Sequence, residues 1–192
     1  AELAADVVEA VAQLEADPEV RVIVFSGQGR AFCAGGDLAS LKALEQEEDA
    51  VAFVQAAGKT SEALFNCRKP VIAMVNGVAA GAGFNLALAC DLVFAAAGVK
   101  FIQSFSNIGL VPDCGGHYFL PRAIGIWRAK QAMFEALPIT AEEGKELGFV
   151  NAIYPAEELA AATEKYAVQL AQRAPLSLQN CKKLLNETGN LS

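Results

Sequence analysis

The chain has 192 residues, of which 54% are hydrophobic, and its 22 Asp and Glu outnumber 15 Lys and Arg for a net charge of −7. This length supports one domain with a substantial core, and the hydrophobic share argues against a disordered chain. The basic residues are scattered along an acidic chain, which argues against nucleic-acid binding, and one histidine cannot build a histidine-rich metal site.

The cysteines indicate a reducing environment. Five are present, an odd number, and no two form a Cys-x-x-Cys pair, so a disulfide framework is not expected. The first residues carry neither the basic region nor the apolar run of a signal peptide, which favours a cytoplasmic protein. The chain starts and stops close to predicted helices, and we expect the natural protein to continue beyond both ends.

The first part of the chain alternates helix and strand. Apolar residues at helical spacing predict a helix that ends at Asp17-Pro18, namely Leu3, Val7, Val8, Val11 and Leu14. The β-branched run 20–26 predicts a buried parallel strand. A glycine-rich turn over 27–38, an acidic surface stretch over 41–49 and a helix over 50–66 follow.

The middle of the chain repeats this order. The predicted elements are strand 70–75, helix 81–90, strands 91–95 and 100–104, loop 107–116 and helix 123–136. The helix 81–90 consists of small residues, so we expect another segment to pack closely against it. Asn76, Asn85 and Asp91 interrupt the apolar run over 71–99, which argues against a membrane-spanning helix.

The last third is predicted to be entirely helical. Thr140-Ala141-Glu142-Glu143 is a capping box, and Gly148 is a C-terminal stop. A helix follows Pro155, and Ser177 is the predicted cap of a final helix whose inward residues are Leu178, Cys181, Leu184 and Leu185. The alternation of strands and helices predicts an α/β fold, with a core over 1–136 and a helical C-terminal region over 137–192.

Two small-residue turns follow buried strands. Neither has the third glycine of a dinucleotide-binding motif, because Phe32 and Leu86 occupy those positions, and no phosphate-binding loop with Gly-Lys-Ser/Thr is present. The turn Ala34-Gly35-Gly36-Asp37 leaves backbone N–H groups free to face a ligand, and the turn Gly81-Ala82-Gly83 opens a helix with its positive dipole end. Two such amides that converge on one carbonyl oxygen form an oxyanion hole.

Together with their flanking residues, these turns resemble the crotonase (enoyl-CoA hydratase/isomerase) superfamily. The matching segments are Arg30 to Leu38, Lys69 to Ala73, Asn76 to Gly83, Cys90-Asp91 and Gly109 to Gly116. The resemblance implies a spiral of ββα turns with a helical C-terminal region, lacking here the family's first strand and last helices. It also implies a trimer or dimer of trimers that acts on an acyl-CoA thioester, with coenzyme A as part of the substrate and no metal or other cofactor.

The resemblance further implies roles for single residues. The amides of Gly36 and Ala82 would be the oxyanion donors, and Ala34, Gly36, Asp37 and Leu38 would line the coenzyme A groove. Hydratases of this family carry two glutamates, at positions that correspond to Asn85 and Phe105. The remaining carboxylate is Asp113, whose segment from Phe105 to Gly116 resembles the ring-epoxide isomerases of phenylacetyl-CoA breakdown, where this Asp is the proposed acid/base.

These residues favour an isomerase that moves a double bond, or rearranges a ring epoxide, through an enolate. The further substrate-binding candidates are Gly83, Phe84, Asn85, Phe105 and Leu110. An apolar pocket that includes Phe84, Phe105 and Leu110 would raise the pKa of Asp113 toward the working pH. The alternatives are a hydratase with nonstandard acid/base residues and a non-catalytic protein that binds acyl-CoA.

Several of these residues also have simpler interpretations. Asp113 after Pro112 can be a turn former, and Asp37 can be a helix N-cap with no other role. His117 is predicted to lie at the surface or in a structural hydrogen bond. Cys33 and Cys114 flank the expected site without a base partner, so neither is predicted to be a nucleophile.

Overall fold

The computed structural model describes residues 2–188. The helices are α1 (Glu2–Ala16), α2 (Leu38–Lys42), α3 (Glu47–Asn66), α4 (Ala82–Ala89), α5 (Gly116–Ile124), α6 (Ile126–Glu135), α7 (Ala141–Leu147), α8 (Ala156–Ala171) and α9 (Pro175–Thr188), with a 3-10 helix at Ser104–Ile108. The strands are β1 (Ile23–Ser26), β2 (Ala31–Cys33), β3 (Val71–Val75), β4 (Val78–Ala80), β5 (Leu92–Ala96), β6 (Lys100–Ile102), β7 (Ile139–Thr140) and β8 (Ala152–Tyr154). Residue 1 and residues 189–192, the two ends for which a continuation is expected, lie outside the described residues.

The strands form two four-stranded sheets, in the orders β1-β3-β5-β8 and β2-β4-β6-β7. Successive strands along the chain alternate between the two sheets from β1 to β6, and a helix follows each of these pairs. All pairings are parallel except that of β6 with β7. This repeated ββα order confirms the expected spiral fold.

The hydrophobic core is formed by the two sheets and the helices that pack on them. Strand β3 is buried along both faces, because helices cover the first sheet and its apolar run faces no water. Three phenylalanines of the same core pack against one another, with ring centroids 5.1–5.3 Å apart: Phe84, Phe101 and Phe149. One continuous core therefore combines the β-branched side chains of β3 with these packed aromatic rings.

Local signals in the sequence located several helix ends correctly. Helix α1 ends just before Asp17-Pro18, as predicted. The capping box at the start of α7 is present, with Thr140 Oγ1 accepting from the Glu143 amide at 3.1 Å. Gly148 ends α7 in the left-handed conformation at φ 95°. These signals act within one helical turn and therefore need no tertiary information.

The prediction that the last third is entirely helical is wrong. Strand β7 pairs with β6, and β8 pairs with β5, so both sheets continue across residue 136. These strands have two and three residues, too few for a period-two pattern to be recognised. The predicted helix 123–136 is also divided, because Gly125 ends α5 at φ 80° and α6 begins at Ile126.

The final helix differs from its prediction in two ways. It begins at Pro175, so Ser177 lies inside the first turn instead of capping it. Leu184 and Leu185 are 59% and 73% exposed, and Cys181 is also exposed, so they do not point inward. Among the described residues nothing covers this face of α9.

Candidate active site

The first small-residue turn follows strand β2 and lies against the second turn. Gly35 has a φ of 100°, a conformation that favours glycine. A Cβ on Gly35 would lie 3.1 Å from the carbonyl oxygen of Ala80 and 3.9 Å from the nitrogen of Ala82. The absence of a side chain at this position therefore lets the two turns make backbone contact.

The second turn opens helix α4. Gly81, at φ 53°, is its N-cap and donates its own amide to the carbonyl of Ile102 at 2.8 Å. Ala82 is the first helical residue, where a backbone N–H has no partner inside the helix. Behind Gly81 lies the ring of Phe105, 3.7 Å from the position of a Cβ on that glycine.

The amides expected to form the oxyanion hole are those of Gly36 and Ala82. Neither N–H donates a hydrogen bond to any acceptor within residues 2–188. Free backbone donors beside the positive end of a helix are suited to an oxygen that gains negative charge. The arrangement can thus polarise a carbonyl group placed between the turns.

Helix α3 links the first turn to the Asp113 loop. The ring of Phe53 lies 3.7 Å from the position of a Cβ on Gly36. One turn further along the same face, the carbonyl of Ala57 accepts a hydrogen bond from the Cys114 thiol at 3.4 Å. One rigid element thus touches both parts of the site.

Asp113 precedes helix α5 and is partly buried. Burial raises the pKa of this carboxyl, and smaller opposing effects come from the neighbouring Cys114 thiol and a backbone amide. Its Oδ1 is buried and has no hydrogen-bond partner among residues 2–188. A carboxylate with a raised pKa and an unused oxygen is suited to accept a proton.

Asn85 does not face an open groove, contrary to the expectation that it binds substrate. Its side chain is fully buried, with Nδ2 donating to the carbonyl of Asp113 at 2.8 Å. Its Oδ1 accepts from Nε2 of Gln103 at 2.7 Å. Both ends of the amide are therefore occupied by the protein itself.

Phe84 is a second correction. Its ring is fully buried between Phe101 and Phe149, so it belongs to the core and does not line a substrate pocket. Sequence reasoning could not decide this, because residue 84 follows the oxyanion turn closely and its side-chain direction depends on the packing of α4. Phe105 remains at the site, buried next to Gly81.

The other predicted substrate-binding residues differ in their exposure. Ala34, Leu38 and Leu110 are exposed, whereas Gly83 is buried. A Cβ on Gly83 would overlap the carbonyl oxygen of Cys33, which confirms the expected close packing against α4. Whether these residues contact coenzyme A stays a prediction.

Asp37 is the N-cap of α2, as its simpler interpretation predicted. Its carboxylate accepts from the hydroxyl of Ser40 and from the amides of Ala39 and Ser40. The Ser40 hydroxyl, followed by these amides, lowers the pKa of Asp37. This carboxylate therefore remains ionised and is engaged in the cap.

The remaining candidates have structural surroundings. Burial and the nearby Asp113 charge raise the pKa of the Cys114 thiol, so it stays protonated and is no nucleophile at neutral pH. His117 is exposed, in agreement with a surface placement. No group of three or more His, Cys, Asp or Glu with metal-binding geometry occurs among residues 2–188.

Comparisons with known proteins agree with this geometry. The sequence profile of the enoyl-CoA hydratase/isomerase family matches residues 1–191. The chain belongs to the enoyl-CoA hydratase/isomerase family. It is similar to 1,2-epoxyphenylacetyl-CoA isomerase of Escherichia coli K12, with 36% identity over 99% of this chain and 74% of that protein.

Other members of the enoyl-CoA hydratase/isomerase family bear hydratase names. A probable enoyl-CoA hydratase of Rhodobacter capsulatus is 45% identical over 69% of this chain and 51% of that protein. The crystal structure of an enoyl-CoA hydratase from Polaromonas sp. JS666 superposes with a TM-score of 0.94 and 38% identity, covering 97% of this chain and 74% of that one. The chain thus spans between about half and three quarters of these relatives. No described helix has the length and apolar character needed to cross a bilayer.

Sequence reasoning missed three residues at this family site: Phe53, Ala57 and Gln103. Phe53 and Ala57 lie on α3, whose helical pattern carries no sign of which turn faces the site. Gln103 gave a weak signal in the sequence, because it is a polar residue near the end of a predicted buried strand. In the structure its side chain is 1% exposed, so its polar atoms need partners within the protein.

Proposed function

We propose that this chain is an acyl-CoA isomerase that moves a double bond, or rearranges a ring-epoxide acyl-CoA, through an enolate. The observation that carries the proposal is Asp113, a carboxylate with a raised pKa on the loop that Asn85 ties to helix α4. The two positions of the hydratase glutamates hold Asn85, whose amide is fully engaged, and Phe105, which has no proton to transfer. These surroundings favour proton transfer by one carboxylate over addition of water.

The reaction needs only one proton shuttle. The Asp113 carboxylate takes a proton from C2 of a 3-enoyl thioester, the electron pair of that C–H bond forms a C1–C2 double bond, and the carbonyl π pair moves onto the oxygen to give a dienolate. The Gly36 and Ala82 amides stabilise this oxyanion. The protonated Asp113 then returns the proton at C4, the 2,3 double bond forms, and the oxyanion collapses to the carbonyl.

A hydratase is the second candidate, because the 45% identical relative is named a probable enoyl-CoA hydratase. It predicts addition of water to crotonyl-CoA, seen as loss of the absorbance of the conjugated thioester. A non-catalytic acyl-CoA-binding protein predicts binding with no turnover. The trimeric or hexameric assembly and the independence from further cofactors stay predictions from the family resemblance. The cytoplasmic location stays a prediction from the cysteines and the first residues of the sequence.

The decisive experiment is the conversion of a 3-enoyl-CoA to its 2-enoyl isomer by the wild-type protein and by Asp113→Asn. We expect the wild type to be active and Asp113→Asn to lose about 10²- to 10⁴-fold in kcat, the usual contribution of a positioned acid/base group. Because burial raises the pKa of Asp113, the acidic limb of the wild-type kcat should lie above the ordinary Asp value of about 3.9.

Asp6→Asn is the matched control, since Asp6 is exposed on α1 and should leave kcat unchanged. Full isomerase activity of Asp113→Asn would refute the assignment of the base. Hydration of crotonyl-CoA without any isomerisation would favour the hydratase instead.

A further inference from the structure

The side chain of Asn85 holds the Asp113 loop from within the core. Its Nδ2 donates to the backbone carbonyl of Asp113 at 2.8 Å, and the amide of Gly116 donates to the same carbonyl at 2.9 Å. Two donors occupy both lone pairs of one carbonyl oxygen and so fix the plane of that peptide. The direction in which the Asp113 side chain leaves the backbone is set by this plane.

Gln103 fixes the orientation of Asn85. Its Nε2 donates to Oδ1 of Asn85 at 2.7 Å, which leaves only Nδ2 to face Asp113. Both amide side chains are almost fully buried, so water cannot compete for these bonds. The hydrogen-bond pattern therefore defines which end of each amide is nitrogen.

Gly116 provides the room for this contact. A Cβ on Gly116 would lie 2.5 Å from Nδ2 of Asn85, so any larger residue at 116 would displace the amide. Asn85 is also the fourth residue of α4, one turn after Ala82. The same helical turn that presents the oxyanion amide thus anchors the loop that carries the carboxylate.

The arrangement is not optimal for stability. Oδ1 of Asp113 and Oε1 of Gln103 are buried and lack hydrogen-bond partners within residues 2–188. Unsatisfied buried acceptors are rare in folded proteins, and each one lowers stability. Both oxygens belong to residues that Asn85 connects, Gln103 through its side chain and Asp113 through its backbone carbonyl.

We propose that Asn85 is a positioning residue: its amide, oriented by Gln103, holds the Asp113 peptide and thereby fixes the direction of the carboxylate. This inference rests on the proposed role of Asp113 as the acid/base. Asn85 occupies the position of a hydratase glutamate, but in this proposal it orients the catalytic carboxylate and does not touch the substrate.

The test compares Asn85→Ala with Thr163→Val in the 3-enoyl-CoA isomerase assay. We expect Asn85→Ala to lower kcat about 100-fold, as misplacement of a catalytic group by about 1 Å can do, with KM within about threefold of wild type. Its kcat–pH profile should also shift, because the surroundings of the Asp113 carboxyl change. Thr163 is the matched control: it is fully buried on α8 with an unpartnered hydroxyl, and Thr163→Val should keep wild-type kcat.

Asn85→Asp keeps the inference testable if Asn85→Ala does not fold. A protonated carboxyl at 85 can donate to Asp113 and accept from Gln103, whereas an ionised one repels the Asp113 carbonyl. We therefore expect a bell-shaped kcat–pH profile for Asn85→Asp, against a plateau for the wild type. A plateau in both proteins would overturn the inference.

The outcomes separate this inference from the proposed function. An inactive Asp113→Asn together with wild-type kcat and pH profile in Asn85→Ala overturns the positioning role alone. A fully active Asp113→Asn overturns the proposed base, and the positioning role with it. Equal losses in Asn85→Ala and Thr163→Val, or a raised KM with unchanged kcat, assign Asn85 to general core packing and also overturn the inference.

Discussion

At the scale of single residues, the chemistry centres on a carboxylate placed where its charge is poorly solvated. Asp113 is partly buried, its Oδ1 lacks a partner within residues 2–188, and burial raises its pKa. The sequence indicated this carboxylate through its loop motif. Helices α3 and α4, which are distant in sequence, contact its loop through the Ala57 carbonyl and the Asn85 side chain.

The partly buried Asp113 carboxyl should lower the free energy of unfolding once the pH is high enough to ionise it. The pKa of Asp113 is raised in the folded state. The neutral carboxyl therefore contributes its full stabilisation below the unfolded pKa of about 3.9, and this contribution is lost as the pH rises through the folded-state pKa. Asp113→Asn removes this loss. We expect the free energy of unfolding of the variant, relative to that of wild type, to be higher at about pH 7 than at about pH 3. Urea denaturation at both pH values measures this difference. A difference that stays constant with pH would contradict this.

At the scale of elements, helix α4 determines the geometry of the site. It carries Ala82 and Asn85, and it packs so closely on β2 that Gly83 has no room for a side chain above Cys33. The run of small residues predicted this contact, but only the structure identifies its partner. The close approach brings the two oxyanion turns together.

Two glycine-to-alanine changes test the close packing of α4. Gly83→Ala forces a methyl group onto the carbonyl of Cys33 and should lower the free energy of unfolding by about 1–3 kcal/mol. Gly58→Ala is the control, because Gly58 lies inside α3 with open space at its Cβ position. It should raise stability by about 0.5–1 kcal/mol. Thermal and urea unfolding measure both, and equal effects of the two changes would argue against the contact.

At the scale of the whole molecule, one ion pair connects the last helix to the core. Lys182 of α9 donates to Oδ2 of Asp91 at 2.8 Å and to the carbonyls of Leu64 and Lys69 at 3.3 Å. Asp91 also accepts from the amide of Val71 at 2.7 Å. Helix α9 has no buried residue, and a second polar contact is made by Asn186, whose Nδ2 donates to the carbonyl of Phe65 at 3.0 Å.

Loss of the Lys182 ammonium should detach α9. Lys182→Met leaves the Asp91 carboxylate, whose side chain is 26% exposed, without its cation, and because this pair is only partly buried we expect a cost of about 1–2 kcal/mol. Lys183→Met is the control, since that exposed side chain lies 3.8 Å from Glu187 and contributes about 0.5 kcal/mol or less. Amide hydrogen exchange along α9 should accelerate in the first variant only. Unchanged exchange in Lys182→Met would show that the remaining contacts of α9, such as the bond from Asn186 to Phe65, are sufficient to hold the helix.

The sequence by itself determined the features that depend on neighbouring residues. The ends of α1 and α7, the buried strand β3 and the α/β alternation follow from periodicity and capping, which act over a few residues. The two glycine turns and the Asp113 loop were visible for the same reason, because the family motifs are short and continuous.

Only the tertiary structure decided which partner each side chain has. Phe84 joined the aromatic core and Asn85 joined the Asp113 loop, although both were expected at the substrate. Strands β7 and β8 became edge strands because β6 and β5 offered free edges to segments too short to show a pattern. Burial and hydrogen bonding between segments tens of residues apart are properties of the folded packing. The position of the carboxylate relative to the oxyanion turns follows from that packing.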